Sequence, residues 1–532
     1  MTETPETTEG TDARPDVPER AGLVLSALIL GALVCNINLA AANVALPDIG
    51  DAFSASQTAL NIVAVGCSLG LAMSVLYFGA IADRYGRKQL LMVGLALTIV
   101  ASLLSAFSVS IEMLVASRLF TGIAAGMAFP TTLSLITALW HVGPGRTRAI
   151  AMWSGVSAMA SVAGSIVAGL LLTTWWWGSA FLIAVPIAAI ALVLVVLYVP
   201  AHVQESIEPV DHLSGVTSTV AVASLVLGIS MVFAPGQVQI GVVLLIVGVL
   251  LVAAFGWRQL RIGHPLYDLR VARRRLFWVP ATGGTIVFGS LMGALFVGQQ
   301  YMQNILGYST LEAGLAITPS AVGLLVCAPL SARLLEARGS RFTMLVGYGF
   351  VLVGFLTTLL WNPTTPYWLV GFGFLTIGTG AAFAMTPASR ALTESTPVRR
   401  VGMASATSDL QRDLGGSIMQ SILGAILAGG FAVSFRRQIA AAGETASISN
   451  DVTQALLASY ASAMHVADKY PQYREQIVAA ATHSMVAGAW AAYLVGAIAI
   501  VIGTIVIAVF LPSFVQEKEL VAAYAKADAV DD

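Results

Sequence analysis

Charge is scarce in this chain. Only 10% of its 532 residues are Asp, Glu, Lys or Arg, and the formal net charge is −1. Soluble domains carry about 25% charged residues, so a string of soluble domains is excluded. No run of bases lies outside short segments between apolar stretches, which argues against a nucleic-acid partner. Cysteine is almost missing: Cys35, Cys67 and Cys327 each sit inside an apolar stretch, where thiols pack as small hydrophobes and no disulfide framework forms. His141, His202, His212, His264, His465 and His483 are scattered without metal-ligating spacing, and neither a Ser-His-Asp order nor a Gly-rich phosphate loop is present. Enzyme chemistry and a cofactor are therefore not expected. Any work the protein does must draw on a gradient. Residues 1–21, rich in Thr, Glu, Asp and Pro, lack the apolar core of a signal peptide and are expected to form a disordered tail.

What the chain has in abundance is apolar residues: 57% of the total, with a mean hydropathy of +0.83. A bilayer core of about 30 Å requires some 20 apolar residues per crossing helix, and fourteen stretches meet that length. They run over about 23–47, 57–82, 89–109, 112–139, 148–173, 178–200, 213–234, 238–257, 277–303, 312–335, 342–362, 366–389, 402–435 and 480–512. The fold class expected is therefore an all-α integral membrane protein. With the first residue on the cytoplasmic side, 20 of the 27 Lys and Arg fall inside, only Arg436, Arg437, Lys469 and Arg474 fall outside, and Arg118, Arg390 and Arg412 lie in or at the edge of spans. That asymmetry places both termini in the cytoplasm. It also sets Trp175, Trp176, Trp177, Trp361 and Trp368 at the outer surface, as an aromatic belt requires.

Between the second and third stretches, residues 79–91 read GAIADRYGRKQLL. One acid, three bases and two glycines at this place must form a tight charged turn at the membrane surface. The stretch resembles the loop signature G-x-x-x-D-R-x-G-R-[KR] of the major facilitator superfamily, carried here by Gly79, Asp83, Arg84, Gly86, Arg87 and Lys88. SARLLEARGSR at 331–341 is a degraded echo of it, as a duplicated half would leave behind. Further matches follow in order: NVALP at 43–47, HPLYDLR at 264–270, QQYMQNILGYSTLEAGLAITP at 299–319 and RDLGG at 412–416. These resemble the fourteen-span drug:proton antiporter branch of the superfamily. The resemblance implies two six-helix bundles, 22–200 and 258–512, with two extra helices inserted at 201–257 and a cytoplasmic tail at 513–532. It also implies a monomer in a bacterial inner membrane that exports small, often hydrophobic compounds in exchange for protons. The external segment 436–479 is read either as carrying a short surface helix near 455–466 or as a spacer.

The chain departs from that branch at the positions tied to proton coupling. The branch usually has an aspartate in span one where this chain has Asn38, and an amide cannot exchange a proton near neutral pH. The span-five signature Gly-Pro-x-x-Gly-Gly becomes Gly164, Ser165, Ile166, Val167, Ala168 and Gly169. In span four Arg118 is kept, but Thr121 stands where Gln is usual. Asp409, Arg412 and Asp413 concentrate the remaining membrane charge on one face of span thirteen, at spacing i, i+3, i+4. Two carboxylates and one guanidinium leave a residual negative charge that one proton would neutralise. The trio is either a proton-coupling site or a structural ion network. Arg118, opposite Asn38 by depth, either attracts an anionic group of the substrate or bonds to Asn38. Gln300 and Gln303 join these two as candidate cavity residues. The charged turn is expected to latch helix ends at an inner gate. The function expected is proton-linked efflux of a small amphipathic compound, with a carrier lacking proton coupling, either a facilitator or an anion-preferring exporter, as the alternative. A transport-dead sensor or scaffold is the third reading, for which no soluble effector domain is visible.

Overall fold

The structure is a computed structural model, and it describes residues 18, 20–140, 144–201, 209–232, 237–263, 265–396, 401–441 and 449–531. The expectations for most of the 1–21 tail, for His141, His202 and His264, and for part of the 436–479 segment lie outside the described residues.

Helix is the only regular structure among the described residues. A lipid-exposed backbone has no water to bond, so each segment must satisfy its own amides. The first part of the chain forms α1 (Ala21–Phe53), α2 (Gln57–Tyr85), α3 (Arg87–Ala106), α4 (Ile111–Leu139), α5 (Pro144–Leu172), α6 (Ser179–Leu182) and α7 (Ala184–Tyr198). Then come α8 (His212–Val232), α9 (Val238–Gln259) and the short α10 (Leu269–Ala272). The last part holds α11 (Arg275–Asn304), α12 (Thr310–Ala316), α13 (Thr318–Thr358), α14 (Tyr367–Glu394), α15 (Val401–Ala441), α16 (Asn450–Ala458), α17 (Tyr460–Lys469), α18 (Arg474–Phe510) and α19 (Phe514–Asp531). Serine starts several of these helices. Ser56 accepts from Ala59 N at 3.2 Å, Ser110 from Met113 N at 3.2 Å, and Ser309 forms a capping box with Glu312.

The two halves repeat one packing plan. In the first, α1 packs on α4, α5 and α7 while α2 packs on α4; in the second, α11 packs on α14, α15 and α18 while α13 packs on α14. Each half also turns at a glycine in the charged segment, Gly86 (φ +113) and Gly339 (φ +80). These are conformations an L side chain rarely adopts. The pair α8–α9 lies at the edge, with α8 against α2 and α15 and α9 against α8. Its two ends are clamped by Asp211 and Arg258, whose guanidinium donates to the carboxylate at 2.8 and 3.1 Å. Burial works against ionising Asp211, yet the bonds from Arg258 and Ser214 outweigh it and hold the carboxyl below its usual range.

The span count differs from expectation. Among the described residues, twelve helices are long and apolar enough to cross a membrane. The α13 helix is counted once but holds a non-helical Gly339 (φ 80, ψ 175). Gly323 and Gly354, on either side of that residue, both press on the same turns of α14: the first on Leu375 O and Thr379 N, the second on Gly373 O and Ile377. The chain therefore doubles back at Gly339. The span expected at 148–173 is α5, whose described apolar part is only Ala163–Leu172.

Several segments are more ordered than their composition suggested. In the 436–479 segment the surface-helix reading holds, as two helices, α16 and α17, where one was expected. Residues 513–532, read as a tail, hold α19. Its Glu517 carboxylate accepts from Ser340 N at 3.0 Å and from Ser340 Oγ, just past the Gly339 turn. Farther along, Asp528 pairs with Arg274, whose Nη1 lies 3.0 Å from Oδ2.

Candidate functional site

The charged trio of α15 sits about 16 Å from the helix start, at 1.5 Å per residue. Arg412 lies between its two acids: Nη2 is 3.8 Å from Asp409 Oδ1 and Nε is 3.7 Å from Asp413 Oδ1. Both distances are too long for good hydrogen bonds, so the guanidinium is held electrostatically. Asp413 is 4% exposed in its side chain and its Oδ2 has no hydrogen-bond partner, whereas Arg412 keeps 27% of its side chain exposed. The guanidinium reaches across to the first half, 4.6 Å over the ring of Phe129 on α4. Phe129 packs on Trp153 at 5.4 Å between centroids, and Trp153 Nε1 donates to Thr132 Oγ1 at 3.0 Å. A cation between two carboxylates and an aromatic face is a favourable arrangement, and here it joins the halves.

Arg118 has a different setting. Its side chain is fully enclosed within the first half. Nη2 donates to the main-chain oxygen of Asn38 at 2.8 Å, Nε approaches Val63 O at 3.5 Å, and the guanidinium lies 5.1 Å from the Phe181 ring. The contact with Asn38 is thus real but runs through the backbone. The Asn38 amide donates instead to Val34 O at 3.3 Å.

Hydrogen bonds that cross between the halves gather toward the end where α1 finishes and α2 starts. Gln57 Nε2 donates to Gln300 Oε1 at 2.5 Å, Gln303 Nε2 to Val44 O at 3.3 Å, and Gln420 Nε2 to Asn43 Oδ1 at 3.2 Å. In the span-five signature, Gly164 lets α5 approach Ile37 of α1, Gly169 lets it approach Thr310 and Leu311, and the Ser165 carbonyl lies against Gly314. At the opposite end, Arg87 Nη1 donates to Ser134 O at 3.4 Å and Lys88 Nζ to Val196 O at 3.1 Å, tying the charged turn to α4 and α7. Gly79 faces open space and Arg84 is exposed, while the Asp83 side chain lies outside what is described.

Sequence reasoning missed Phe129, Trp153, Gln57, Asn61 and Gln420, and took Asn43 only as part of the NVALP match. The amides carried a signal, being polar residues inside apolar runs. Asn61 is the plainest, fully buried against Gly424 with neither amide atom hydrogen-bonded. The aromatic pair carried none.

The multidrug efflux pump LfrA of Mycolicibacterium smegmatis is 31% identical over 418 residues, 79% of this chain and 83% of its own length. The multidrug resistance protein Stp of Mycobacterium tuberculosis is 29% identical over 413 residues, 76% of each chain. The methyl viologen resistance protein SmvA of Salmonella typhimurium is 28% identical, covering 78% of this chain and 84% of its own. Among solved structures, a bacterial homologue of the lysosomal transporter Spinster, inward-facing and unoccupied, superposes with a TM-score of 0.62 at 14% identity, over 92% of this chain and 97% of its own. The D-xylose-proton symporter superposes with 0.53 at 14% identity, over 77% and 90%. Residues 28–420 match the Major Facilitator Superfamily, and the chain is a multi-pass membrane transporter belonging to that family.

Proposed function

We propose that this protein exports small amphipathic compounds by alternating access, coupled to proton uptake at Asp409 and Asp413. The observation that carries the reading is the α15 trio. It is charge-unbalanced, one of its carboxylate oxygens has no hydrogen-bond partner, and its guanidinium touches Phe129 of the other half. A proton taken up there changes both the charge of the trio and the hold on Arg412, which is the link a coupled carrier needs. The names of the relatives, which speak of multidrug efflux and methyl viologen resistance, support a drug-type substrate. The setting we propose is a bacterial inner membrane, with both termini cytoplasmic, a monomer, and fourteen passes arranged as bundles 22–200 and 258–512 around an inserted pair at 201–257.

The test is transport of a fluorescent amphipathic dye in proteoliposomes with and without an imposed pH gradient. Asp409→Asn or Asp413→Asn should abolish uphill transport while downhill exchange stays measurable. Uphill transport by both variants would make the trio structural. The uncoupled carrier is then the better reading, favoured by Asn38 at the usual place of the acid. The charged turn is proposed as an inner latch. A well-inserted Asp83→Asn protein should transport more slowly, and an unchanged rate would remove that role.

A further inference from the structure

Helices α16 and α17 belong by sequence to the second half, between α15 and α18, and they rest on both of those helices. They also reach the first half. Ser459, which joins them, is 1% exposed and does two things at once. Its Oγ accepts from Ser462 N at 3.1 Å to start α17 and donates to Ala55 O at 2.9 Å, in the turn between α1 and α2. Beside it, Gly50 near the end of α1 faces Ala461 so closely that a Cβ on the glycine would lie 3.3 Å from that of the alanine. Leu456, Leu457 and Ala463 are buried in the same apolar cluster as Leu46, Ile49 and Leu60 of the first half. The amide contacts of Gln57 with Gln300, and of Gln420 with Asn43, lie toward this same end.

We propose that α16–α17 is an outer strap: a lid carried by one half that docks on the α1–α2 corner of the other and holds the outer side of the transporter closed. Alternating access requires the two halves to part at this end, and here they cannot part unless Ser459 leaves Ala55 and the end of α1 slides off Ala461. The strap is attached to the second half through its own chain on both sides, so the α1 contact is the one that yields. Buried polar groups such as Asn61, unpaired in the closed arrangement, gain water when the seam opens. The strap's apolar contact opposes that gain. The inference rests on the alternating-access reading, but its test reads accessibility and cross-linking as well as transport, so the two can fail separately.

The experiment uses the full chain with Cys35, Cys67 and Cys327 replaced by Ala, carrying Gly50→Cys and Ala461→Cys together. The 3.3 Å between these Cβ positions is just under the disulfide range of about 3.5–4.5 Å and a small shift reaches it, so mild oxidation should cross-link the pair in membranes. Transport should then fall at least tenfold and recover on reduction, with neither effect in the single variants. Failure to cross-link, or full transport by the cross-linked protein, overturns the strap. As a second measurement, Asn61→Cys in the same cysteine-free chain reports opening through its reaction with an impermeant thiol reagent. Adding Ser459→Ala should speed that labelling several-fold. An unchanged rate overturns the strap, and this readout stands even where no substrate is transported.

Discussion

At the scale of single residues, burial separates two arginines that look alike in the sequence. Arg412 keeps a quarter of its side chain exposed and loose contacts on three sides, so its position can respond to a proton or a ligand. Arg118 is enclosed and bonded to two carbonyls on different helices, which makes it a rivet between α1, α2 and α4. A lysine keeps the charge but lacks the planar fork that reaches both carbonyls while lying by Phe181. Arg118→Lys should therefore lower stability by about 1.5–3 kcal/mol, the range for hydrogen bonds to a charged group, seen as a lower Tm in detergent. A Tm equal to the parent's would show that the rivet is not needed. The alternatives for the Asn38 and Arg118 pair thus meet in one geometry. The hydrogen bond exists, but the oxygen is a main-chain carbonyl that any residue at position 38 would supply.

At the scale of elements, the two glycine turns define each half, and they are braced differently. The Gly86 turn is tied down by its own flanking bases, Arg87 and Lys88. The Gly339 turn has Glu336 where its counterpart has Asp83, and the carboxylate bonded just past it comes from α19, through Glu517. Backbone in the region of Gly339 is nearly restricted to glycine and costs other residues about 1–3 kcal/mol. A Cβ there would also run into Phe514 and Glu517. Gly339→Ala should lower the melting temperature and free α19, so that limited proteolysis cuts between residues 513 and 531. Resistance equal to the parent's would show that the turn tolerates a side chain and that α19 does not depend on it. The helical content of α16, α17 and α19 was only partly legible. Each is short or polar enough to pass for a loop or tail, and each is stabilised by what it docks on.

At the scale of the whole molecule, the halves touch in two places and in different ways. Uncharged amides and small residues close the end at Gln57 and Gly169, while the charged trio with an aromatic joins the halves elsewhere, at Arg412 and Phe129. Which end faces outward rests on the 20 to 4 distribution of Lys and Arg. Gln472, exposed just before α18, tests it. A cysteine at this position, in a chain without native cysteines, should react with an impermeant thiol reagent on intact cells. Labelling only after the membrane is opened would invert the orientation.

The sequence alone determined the class, the family resemblance and nearly every spanning helix, because a bilayer demands long apolar runs and the turns between them must carry charge and glycine. It also singled out the residues that are costly in lipid: Asp409, Arg412, Asp413 and Arg118. Only the tertiary structure decided what those residues meet. The spanning helices are apolar on every side, so hydropathy does not say which face turns to a neighbour and which to lipid. That Phe129 lies under Arg412, that Ser459 bonds to Ala55 across 404 residues, and that Glu517 meets Ser340 across 177 follow from how helices pack. Small residues at the crossings and shape complementarity set that packing, and neither is written in the order of apolar runs along the chain.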